Sequence, residues 1–296
     1  MATGLQQLGK PKTRLGKRLA PYLLIMPGGL WLLLFFLIPI FFMLAVSLQT
    51  GNLEEGFSQT WHFHRYVEVF QQYRPQFVRS FAFGTIATAI TLVVAYPLAY
   101  WIAFHGGRHK TTFLFMLLLP FFVSFVIRTL AWQFILSDDG ILFGTLKSWH
   151  VLPQSFHVLA TRTAVISGIA YNFLPFMALP LYVSLERIDR RVVEAASDLY
   201  ANKKDVFLRV IFPLSIPGVF AGILLTFVPA VGDYVNASIL GGTNTTMIGN
   251  IIQLEFLQNF HYPVAAALSF ILMGVLLIGI FIYARVLGAR SIEEYV

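Results

Sequence analysis

Long apolar runs, each near twenty residues, alternate with shorter polar stretches along the chain. A helix that rises 1.5 Å per residue needs about 20 apolar residues to cross roughly 30 Å of hydrocarbon. The pattern therefore predicts an all-α integral membrane protein. Its six transmembrane helices are expected at residues 22–48, 80–104, 112–135, 163–185, 214–237 and 262–286.

Three of the connecting stretches have a pattern of their own. Residues 49–79 predict a polar linker followed by a short amphipathic helix at 64–70, lying at the membrane interface. Residues 136–162 contain an Asp-Asp-Gly sequence that is typical of a turn. The segment 247–260 mixes apolar and polar positions and is too short to cross the bilayer. It predicts an outer re-entrant or interfacial helix.

The composition agrees with a membrane protein. Hydrophobic residues make up 57% of the 296 residues, charged residues make up 12%, and the mean hydropathy is +0.72, whereas a soluble domain carries about 25% charged residues. The chain has no cysteine, which excludes disulfides, thiolate-bound metals and thiol nucleophiles. We expect a basic tail at 1–21, a six-helix transmembrane domain at 22–286 and a second tail at 287–296.

The basic residues indicate which side of the membrane each loop occupies. Of the 21 Lys and Arg residues, fifteen lie in or next to the two tails and in the loops near 105–111 and 186–213, and five lie in the other loops. Cytoplasmic loops carry such an excess, so both termini are expected in the cytoplasm. This bias accounts for the net charge of +7 without nucleic acid, and no basic stretch is interleaved with aromatic residues for base stacking.

The loop at 186–213 has the most informative pattern. Its first half predicts a short amphipathic helix, because apolar positions recur at helical spacing beside two acidic ones. Its second half repeats the apolar pattern, and Pro213 and Pro217-Gly218 are expected to end that helix. The apolar positions are Val192, Ala195, Ala196, Leu199, Val206, Phe207, Val210 and Ile211, and the acidic ones are Glu194 and Asp198. Such a helix pair is either a docking element for a partner protein or an amphipathic loop resting on lipid.

This loop closely resembles the EAA loop of permease subunits from bacterial ABC importers. The matching residues are Glu194, Ala195, Ala196, Asp198, Leu199, Ala201, Phe207, Val210, Pro213, Pro217 and Gly218. Tyr200 departs from the pattern, since the family has a glycine there. The resemblance implies that residues 186–213, called the coupling loop below, form helices that sit in a cleft of a cytoplasmic ATPase subunit.

The resemblance extends over nearly the whole chain and narrows to permeases of the spermidine/putrescine type. Its motifs include Leu119-Pro120-Phe121, Leu174-Pro175-Phe176, Gly232-Asp233-Tyr234 and Tyr262-Pro263. It implies a bacterial inner-membrane complex with a second homologous permease subunit, two cytoplasmic ATPase subunits and an extracytoplasmic solute-binding protein. ATP and Mg²⁺ are expected on the ATPase, because this chain has no glycine-rich loop running into Gly-Lys-Ser or Gly-Lys-Thr. The chain itself is expected to bind no cofactor and to be no enzyme.

Polar residues inside the apolar runs are candidates for a solute path. Asp233 and Tyr234 are expected to attract a cationic solute, through a carboxylate and a cation–π face, although Asp233 fits a structural ion pair equally well. Arg128 would repel such a solute. It is therefore expected to pair with Asp138, Asp139 or Asp233, either as a gate latch or as a structural tie.

Three further residues belong to the same set. Tyr171 and Asn172 interrupt the fourth apolar run and face either the path or a neighbouring helix. Glu255 is expected on the wet face of the interfacial helix, with a place in the path as the alternative. No arrangement of histidines and carboxylates indicates a metal site or a catalytic site.

Three functional classes compete for this pattern. The leading hypothesis is a permease subunit of an ATP-driven importer that moves a small cationic solute; an importer permease for another small solute shares many of the motifs. An ion-driven secondary transporter is the alternative, although two inverted halves with broken midplane helices are not evident in the sequence. An intramembrane enzyme lacks any acid–base or metal group.

Overall fold

The computed structural model describes residues 24–198 and 202–293, with side chains through 285. The chain divides into two compact units, one ending at His62 and one beginning at Phe63. Each unit is described by itself. Residues 199–201 of the coupling loop and the predicted tail 1–21 lie outside the described part. The predicted tail 287–296 is described as backbone through residue 293.

The first unit contains one apolar helix and one β-hairpin. Helix α1, Leu24–Ser47, includes a π-helical turn and presents large apolar side chains along its length. Strands β1, Gln49–Asn52, and β2, Gly56–Gln59, pair antiparallel. Gly51 has a φ of 120°, and a Cβ there would lie 2.0 Å from the carbonyl oxygen of Gly56. The hairpin replaces part of the stretch that the sequence predicted as an unstructured polar linker.

The second unit is helical throughout its regular elements. They are α2 Arg65–His105, α3 Lys110–Leu118, α4 Phe125–Leu136, α5 Ile141–Ser148, α6 Arg162–Asn172, α7 Leu174–Glu186, α8 Arg190–Asp198, α9 Lys203–Val231, α10 Val235–Leu240, α11 Ile248–Leu257 and α12 Tyr262–Glu293. Short 3₁₀ turns lie at Gly107–His109, Leu119–Phe122 and Thr243–Thr245. The predicted re-entrant or interfacial helix corresponds to α11.

The predicted interfacial helix at 64–70 is not a separate element. Helix α2 runs without interruption for 41 residues, so that stretch forms its first turns. Pro75 and Pro97 lie inside the helix without ending it. The sequence reading failed here because apolar length marks only the part of a helix that lies in hydrocarbon, and hydrated polar turns can continue the same helix.

Two of the predicted spans are bent. The segments Gly107–Phe122 and Phe125–Ser148 meet at 90°, and Arg162–Asn172 and Leu174–Glu186 meet at 44°. Val123 and Ser124 are extended at the first bend. Pro175 lies in the first turn of α7 at the second, a position where proline is tolerated because its N–H would be unpaired anyway.

The number of crossings follows from these bends. Four helices are long and apolar enough to span a bilayer, and the number is six if each bent pair is one span. This count rests on the length and composition of the described residues. It agrees with an all-α membrane fold.

Helix α9 corrects the prediction that proline ends the second helix of the coupling loop. The helix continues through Pro213 and Pro217 as far as Val231. A π-helical turn at Phe207–Ile211 immediately precedes Pro213. A proline ring collides with the carbonyl four residues earlier, and the wider π-turn gives that carbonyl room. The loop and the fifth span are thus one continuous helix.

Small residues bring α7 and α9 into close contact. A Cβ on Gly218 would lie 2.4 Å from the Cβ of Ser184 and 2.7 Å from the carbonyl oxygen of Pro180. One on Gly222, four residues later, would lie 2.7 Å from the sulfur of Met177. This spacing lets two helix backbones approach within a membrane, where apolar burial does little to hold helices together. Gly218 therefore serves helix packing, a role that its place in the loop motif did not indicate.

Candidate coupling loop and solute path

Helix α8 divides the predicted ATPase-coupling residues into a packed face and an open face. Val193 and Ala196 pack against the core cluster that includes Leu185 and Val206. Glu194, Ala195 and Asp198 are exposed, and neither acid forms an ion pair among the described residues. Leu199 and Ala201 lie outside the described part. The predicted apolar stripe is therefore shifted by one position at its start, since Val192 is exposed and Val193 is packed.

The second half of the loop is anchored by an aromatic side chain. Phe207 lies edge-on to Tyr96 and to Tyr100 of α2, with ring centroids 5.7 and 6.0 Å apart. Asn202 caps the start of α9, because its Oδ1 accepts a hydrogen bond from the backbone N–H of Asp205 at 2.9 Å. Pro213 and Pro217 are exposed on the outside of the same helix.

The carboxylate of Asp233 is buried and serves as a helix cap. Asp233 follows Gly232, where α9 ends, and its side chain is 6% exposed. Its Oδ1 accepts the backbone N–H of Asn236 at 3.0 Å, and its Oδ2 accepts the side-chain amide of the same residue. Both carboxylate oxygens thus face the first turn of α10, whose positive dipole end stabilises a negative charge.

Asn236 connects this cap to two other helices. Its Oδ1 accepts the side-chain amide of Asn172 at 3.0 Å, and the same amide of Asn172 donates to the hydroxyl of Thr129 at 3.1 Å. All three side chains are buried. The Oδ1 atom of Asn172 has no partner among the described residues. A polar network therefore joins α4, α6 and α10, next to the bends in spans three and four and the break that follows α9.

The predicted pairing of Arg128 with an acid is wrong. The guanidinium carbon of Arg128 lies 4.2 Å from the centre of the Phe121 ring, and its Nε and Nη1 atoms have no hydrogen-bond partner among the described residues. Asp138 binds Lys147 and His157 instead. A guanidinium over an aromatic face is held by cation–π attraction rather than by an ion pair.

The two candidate tyrosines differ in their surroundings. Tyr171 packs edge-on against Trp132, with ring centroids 5.3 Å apart, and is part of an aromatic cluster. Tyr234 is 43% exposed and lines an open cavity of about 300 Å³ with Gln253 and Phe256. Of the two, Tyr234 offers a free ring face to a solute.

The prediction that Glu255 lies on the solvent-exposed face of its helix is wrong. It is 6% exposed, and its two carboxylate oxygens contact the hydroxyl of Tyr73 at 2.9 Å and the Nδ1 atom of His261 at 2.8 Å. Burial acts to raise the pKa of Glu255, but the hydrogen bonds from His261, Tyr73 and Asn259 outweigh it and hold that pKa below its ordinary value. One ionised carboxylate thus ties α11 to α2 and to the start of α12.

A second, larger cavity lies beside the coupling loop. It has a volume of about 720 Å³ and opens between α7 and α9. Apolar side chains form most of its wall, including Phe176, Val183 and Leu225, each of which is partly exposed. Arg187 and Asp189 stand at the end that meets the coupling loop. No group of His, Asp or Glu in the described residues could hold a metal ion.

Sequence reasoning missed several residues that complete these sites. Thr129 and Asn236 belong to the polar network, and Tyr73 and His261 hold Glu255. Asp is a preferred N-cap residue, so Asp233 could have indicated that a helix begins in the segment that contains Asn236. Tyr73 could not be found in this way, because it lies 182 residues from Glu255 in the chain.

Comparison with known proteins identifies the family. The profile of the family described as binding-protein-dependent transport system inner membrane component matches residues 95–290. That range contains the coupling loop and the polar network.

Curated relatives match over most of their length. The spermidine/putrescine transport system permease protein PotB of Haemophilus influenzae is 37% identical over 256 residues, which cover 86% of this chain and 90% of the relative. The protein of the same name from Escherichia coli is 33% identical over 264 residues, covering 88% and 96%.

Solved structures match in fold. A bacterial alginate ABC transporter in complex with an alginate-bound periplasmic protein superposes with a TM-score of 0.70 at 20% identity, covering 92% of this chain and 96% of the other. A second structure of an alginate-importing ABC transporter gives 0.66 at 19% identity. These two likenesses show that the chain has the membrane fold of an ABC transporter subunit. The chain belongs to the family of binding-protein-dependent transport system inner membrane components, the multi-pass permeases of ABC transporters in the bacterial inner membrane.

Proposed function

We propose that this chain is the permease subunit of an ATP-driven importer of polyamines such as spermidine and putrescine. The observation that carries the proposal is its likeness to two permeases named for these solutes, at 37% and 33% identity over at least 86% of this chain. The chain contributes the membrane path, and a separate ATPase supplies the energy. ATP and Mg²⁺ bind to that ATPase and not to this chain.

The proposed topology has six spans, with both termini in the cytoplasm. In this arrangement the two bent helix pairs each cross once, and the coupling loop lies inside. Residues 1–21 and 287–296 form the cytoplasmic tails, and 22–286 form the transmembrane domain. The excess of Lys and Arg in the loops near 105–111 and 186–213 supports this orientation.

The coupling loop is the proposed contact with the ATPase. The exposed face of α8, formed by Glu194, Ala195 and Asp198, has no partner of its own among the described residues and is available for one. Leu199 and Ala201 follow in the same motif. Phe207 and Gly218 support the contact from behind, because they fix α9 against α2 and α7.

Two more partners complete the proposed complex. A second, homologous permease subunit would cover exposed apolar surface of this chain, and the groove between α7 and α9 offers such a surface. An extracytoplasmic solute-binding protein would deliver the solute at the opposite end of the bundle. Lipid covers the remaining apolar surface.

The proposed path runs past the break between α9 and α10. Tyr234 contributes an exposed aromatic face for an ammonium group, and the nearby carboxylate of Asp233 adds negative potential without direct contact. Asn172 and Tyr171 shape the wall, and Glu255 holds α11 beside the path. Arg128, held over Phe121, is proposed to act as a structural tie beside the path.

The experiment that tests the function measures uptake by the whole complex. The chain is expressed together with its partner permease and ATPase subunits, and the complex is reconstituted in vesicles with the solute-binding protein. We expect uptake of labelled spermidine that requires ATP and is reduced by unlabelled putrescine, but not by sugars or oxyanions. Uptake without ATP in an ion gradient would instead support a secondary transporter. Competition by another class of solute would show that the substrate belongs to that class and is not a polyamine.

A charge reversal on α8 tests the coupling contact. Glu194→Lys should leave the chain folded in the membrane, because Glu194 is exposed, while it reduces the amount of ATPase subunit that co-purifies. Glu68→Lys, at an exposed site in the first turn of α2, is the matched control and should have no effect. If equal amounts of the ATPase subunit co-purify with both variants, the exposed face of α8 is not part of the interface.

A further inference from the structure

Helix α3, the first half of the bent third span, is packed loosely. None of its nine residues is buried. Its side-chain contacts include Phe113 against Trp101, with ring centroids 4.8 Å apart, and Leu117 against the core cluster at the coupling-loop end. A helix with so little buried surface can shift without disrupting a core. What ties it to its neighbours therefore determines how it moves.

One strong polar contact joins this helix to the coupling loop. The Nζ atom of Lys110, the first residue of α3, lies 2.7 Å from both carboxylate oxygens of Glu186. Glu186 is the last residue of α7 and the first residue of the coupling loop. Within the described residues, this is the only ion pair between α3 and another element.

The other half of the same span reaches the polar network. Helix α4 begins after the 90° bend, and its Thr129 accepts a hydrogen bond from Asn172, which also donates to Asn236. The third span is thus attached at its first residue to the coupling loop and, beyond the bend, to the residues that border the proposed path. The fourth span, α6 and α7, also reaches both places, since it contains Asn172 and runs directly into the coupling loop at Glu186. The third span differs because its link to the loop is a side-chain ion pair and not the backbone.

We propose that the Lys110–Glu186 ion pair is the tie that makes α3 follow the coupling loop, so that movement of the loop reaches the proposed path through the bent third span. Lys110 and Glu186 are positioning residues, since neither touches solute or nucleotide. This inference rests on the proposed function, because it assigns the loop movement to the ATPase cycle.

The exposure of the pair makes its role separable from stability. The side chains of Lys110 and Glu186 are 19% and 40% exposed, and ion pairs of this kind add little to the free energy of unfolding. The Nζ atom of Lys110 nevertheless lies within hydrogen-bonding distance of both carboxylate oxygens, and charge-assisted hydrogen bonds are stronger than neutral ones, so the pair holds the two helices together locally. Breaking it should therefore change how α3 moves more than whether the chain folds.

A charge-swap series tests the proposal in the reconstituted complex. Lys110→Glu and Glu186→Lys should each lower the amount of solute moved per ATP by at least about fivefold, the lower end of typical coupling effects. The double variant restores the opposite charges and should recover most of the loss. Arg108→Glu is the matched control, because it removes the same charge from the same loop and has no acidic partner among the described residues.

Three results of this series would overturn the proposal. The first is failure of the double variant to recover coupling. The second is an equal loss with Arg108→Glu, which would indicate a general effect of loop charge. The third is loss of the ATPase subunit from either single variant, which would make the pair an assembly contact instead.

A second measurement does not depend on the solute. The chain has no cysteine, so spin labels can be placed at Thr112→Cys on α3 and at Leu208→Cys on α9, within the coupling loop, both exposed positions outside the groove between α7 and α9. The distance between the labels should stay constant between the nucleotide-free and ATP-bound complexes, and it should change in Lys110→Glu. A distance that changes equally in both would end the proposal. If the complex moves no polyamine but this distance behaves as expected, the proposed role of the ion pair is supported and only the proposed solute is wrong.

Discussion

At the scale of single residues, Asp233 combines a charge with a structural duty. Both of its carboxylate oxygens are engaged by Asn236, and Asn236 in turn holds Asn172. A carboxyl group so deeply placed is costly unless it is hydrogen-bonded, and the cap meets that requirement. Its influence on a passing cation is therefore electrostatic and acts at a distance.

Two substitutions of Asp233 distinguish its role as a helix cap from its role in attracting a cationic solute. Asp233→Asn keeps one oxygen for the backbone N–H of Asn236 but sets its amide against the side-chain amide of Asn236, so it should lower the thermal stability less than Asp233→Ala does, while polyamine uptake falls. Asp233→Ala also loses the cap and should destabilise the chain by about 1 kcal/mol. Thermal unfolding in detergent and vesicle uptake are measured on the same samples. Full uptake by the Asp233→Asn variant would show that the carboxylate of Asp233 does not attract the solute.

Residue identities show where sequence reasoning succeeds and where it stops. The isolated polar residues Asn172, Asp233 and Glu255 could be singled out because they interrupt apolar runs. Their partners could not be predicted, because Glu255 binds Tyr73, and Arg128 lies over a ring instead of beside an acid. Contacts of this kind depend on how the helices are packed, and hydropathy carries no information about that.

At the scale of helices, the breaks decide the architecture. Length and apolarity predicted every membrane helix approximately, and the short helix α11 as well. The 90° bend was not predicted, since an average over twenty residues conceals a two-residue interruption at Val123 and Ser124. The proline rule failed in α9, where a π-turn accommodates Pro213.

The close contact between α7 and α9 gives a prediction about packing. Gly218→Ala adds a Cβ that would lie 2.4 Å from Ser184, so it should destabilise the helix pair by about 1–3 kcal/mol despite the better helix propensity of alanine. Gly232→Ala is the control, because its Cβ would meet only the carbonyl oxygen of Pro229 at 3.9 Å. Retention of the folded chain after heating in detergent distinguishes the two.

The tie at Glu255 predicts a pH dependence. Its pKa in the folded chain is below the ordinary value of 4.5, so the folded state binds a proton less readily than the unfolded state. The stabilisation is complete above the ordinary pKa and is lost as the pH falls through the lowered one. Glu255→Gln should weaken this acid sensitivity, whereas Glu68→Gln, at an exposed site, should not. Thermal unfolding across this pH range is the measurement; identical curves would contradict the assignment.

At the scale of the whole molecule, the distribution of basic residues supports the proposed orientation. Fifteen of the 21 Lys and Arg residues lie in two loops and in or next to the two tails. Family membership agrees with an importer permease and does not require any catalytic group in this chain. The fold class and the coupling motif could therefore be predicted from sequence, while the network that borders the path required the packed structure.

Cysteine labelling tests the proposed topology. In the natural cysteine-free chain, Ser58→Cys in the hairpin should react with a membrane-impermeant maleimide in intact spheroplasts. Asp198→Cys at the end of α8 should react only after the membrane is permeabilised. Labelling of both from one side would contradict the six-span arrangement with cytoplasmic termini.

The length of α2 has a consequence for docking. Its 41 residues extend about 60 Å, roughly twice the thickness of the hydrocarbon core. The part of α2 that exceeds this thickness extends beyond the hydrocarbon, and the hydrogen bond between Tyr73 and Glu255 holds α11 against it. A protein that docks at this end meets a surface already fixed in shape. Little conformational entropy is then lost on association, and the affinity depends on how well the two surfaces match.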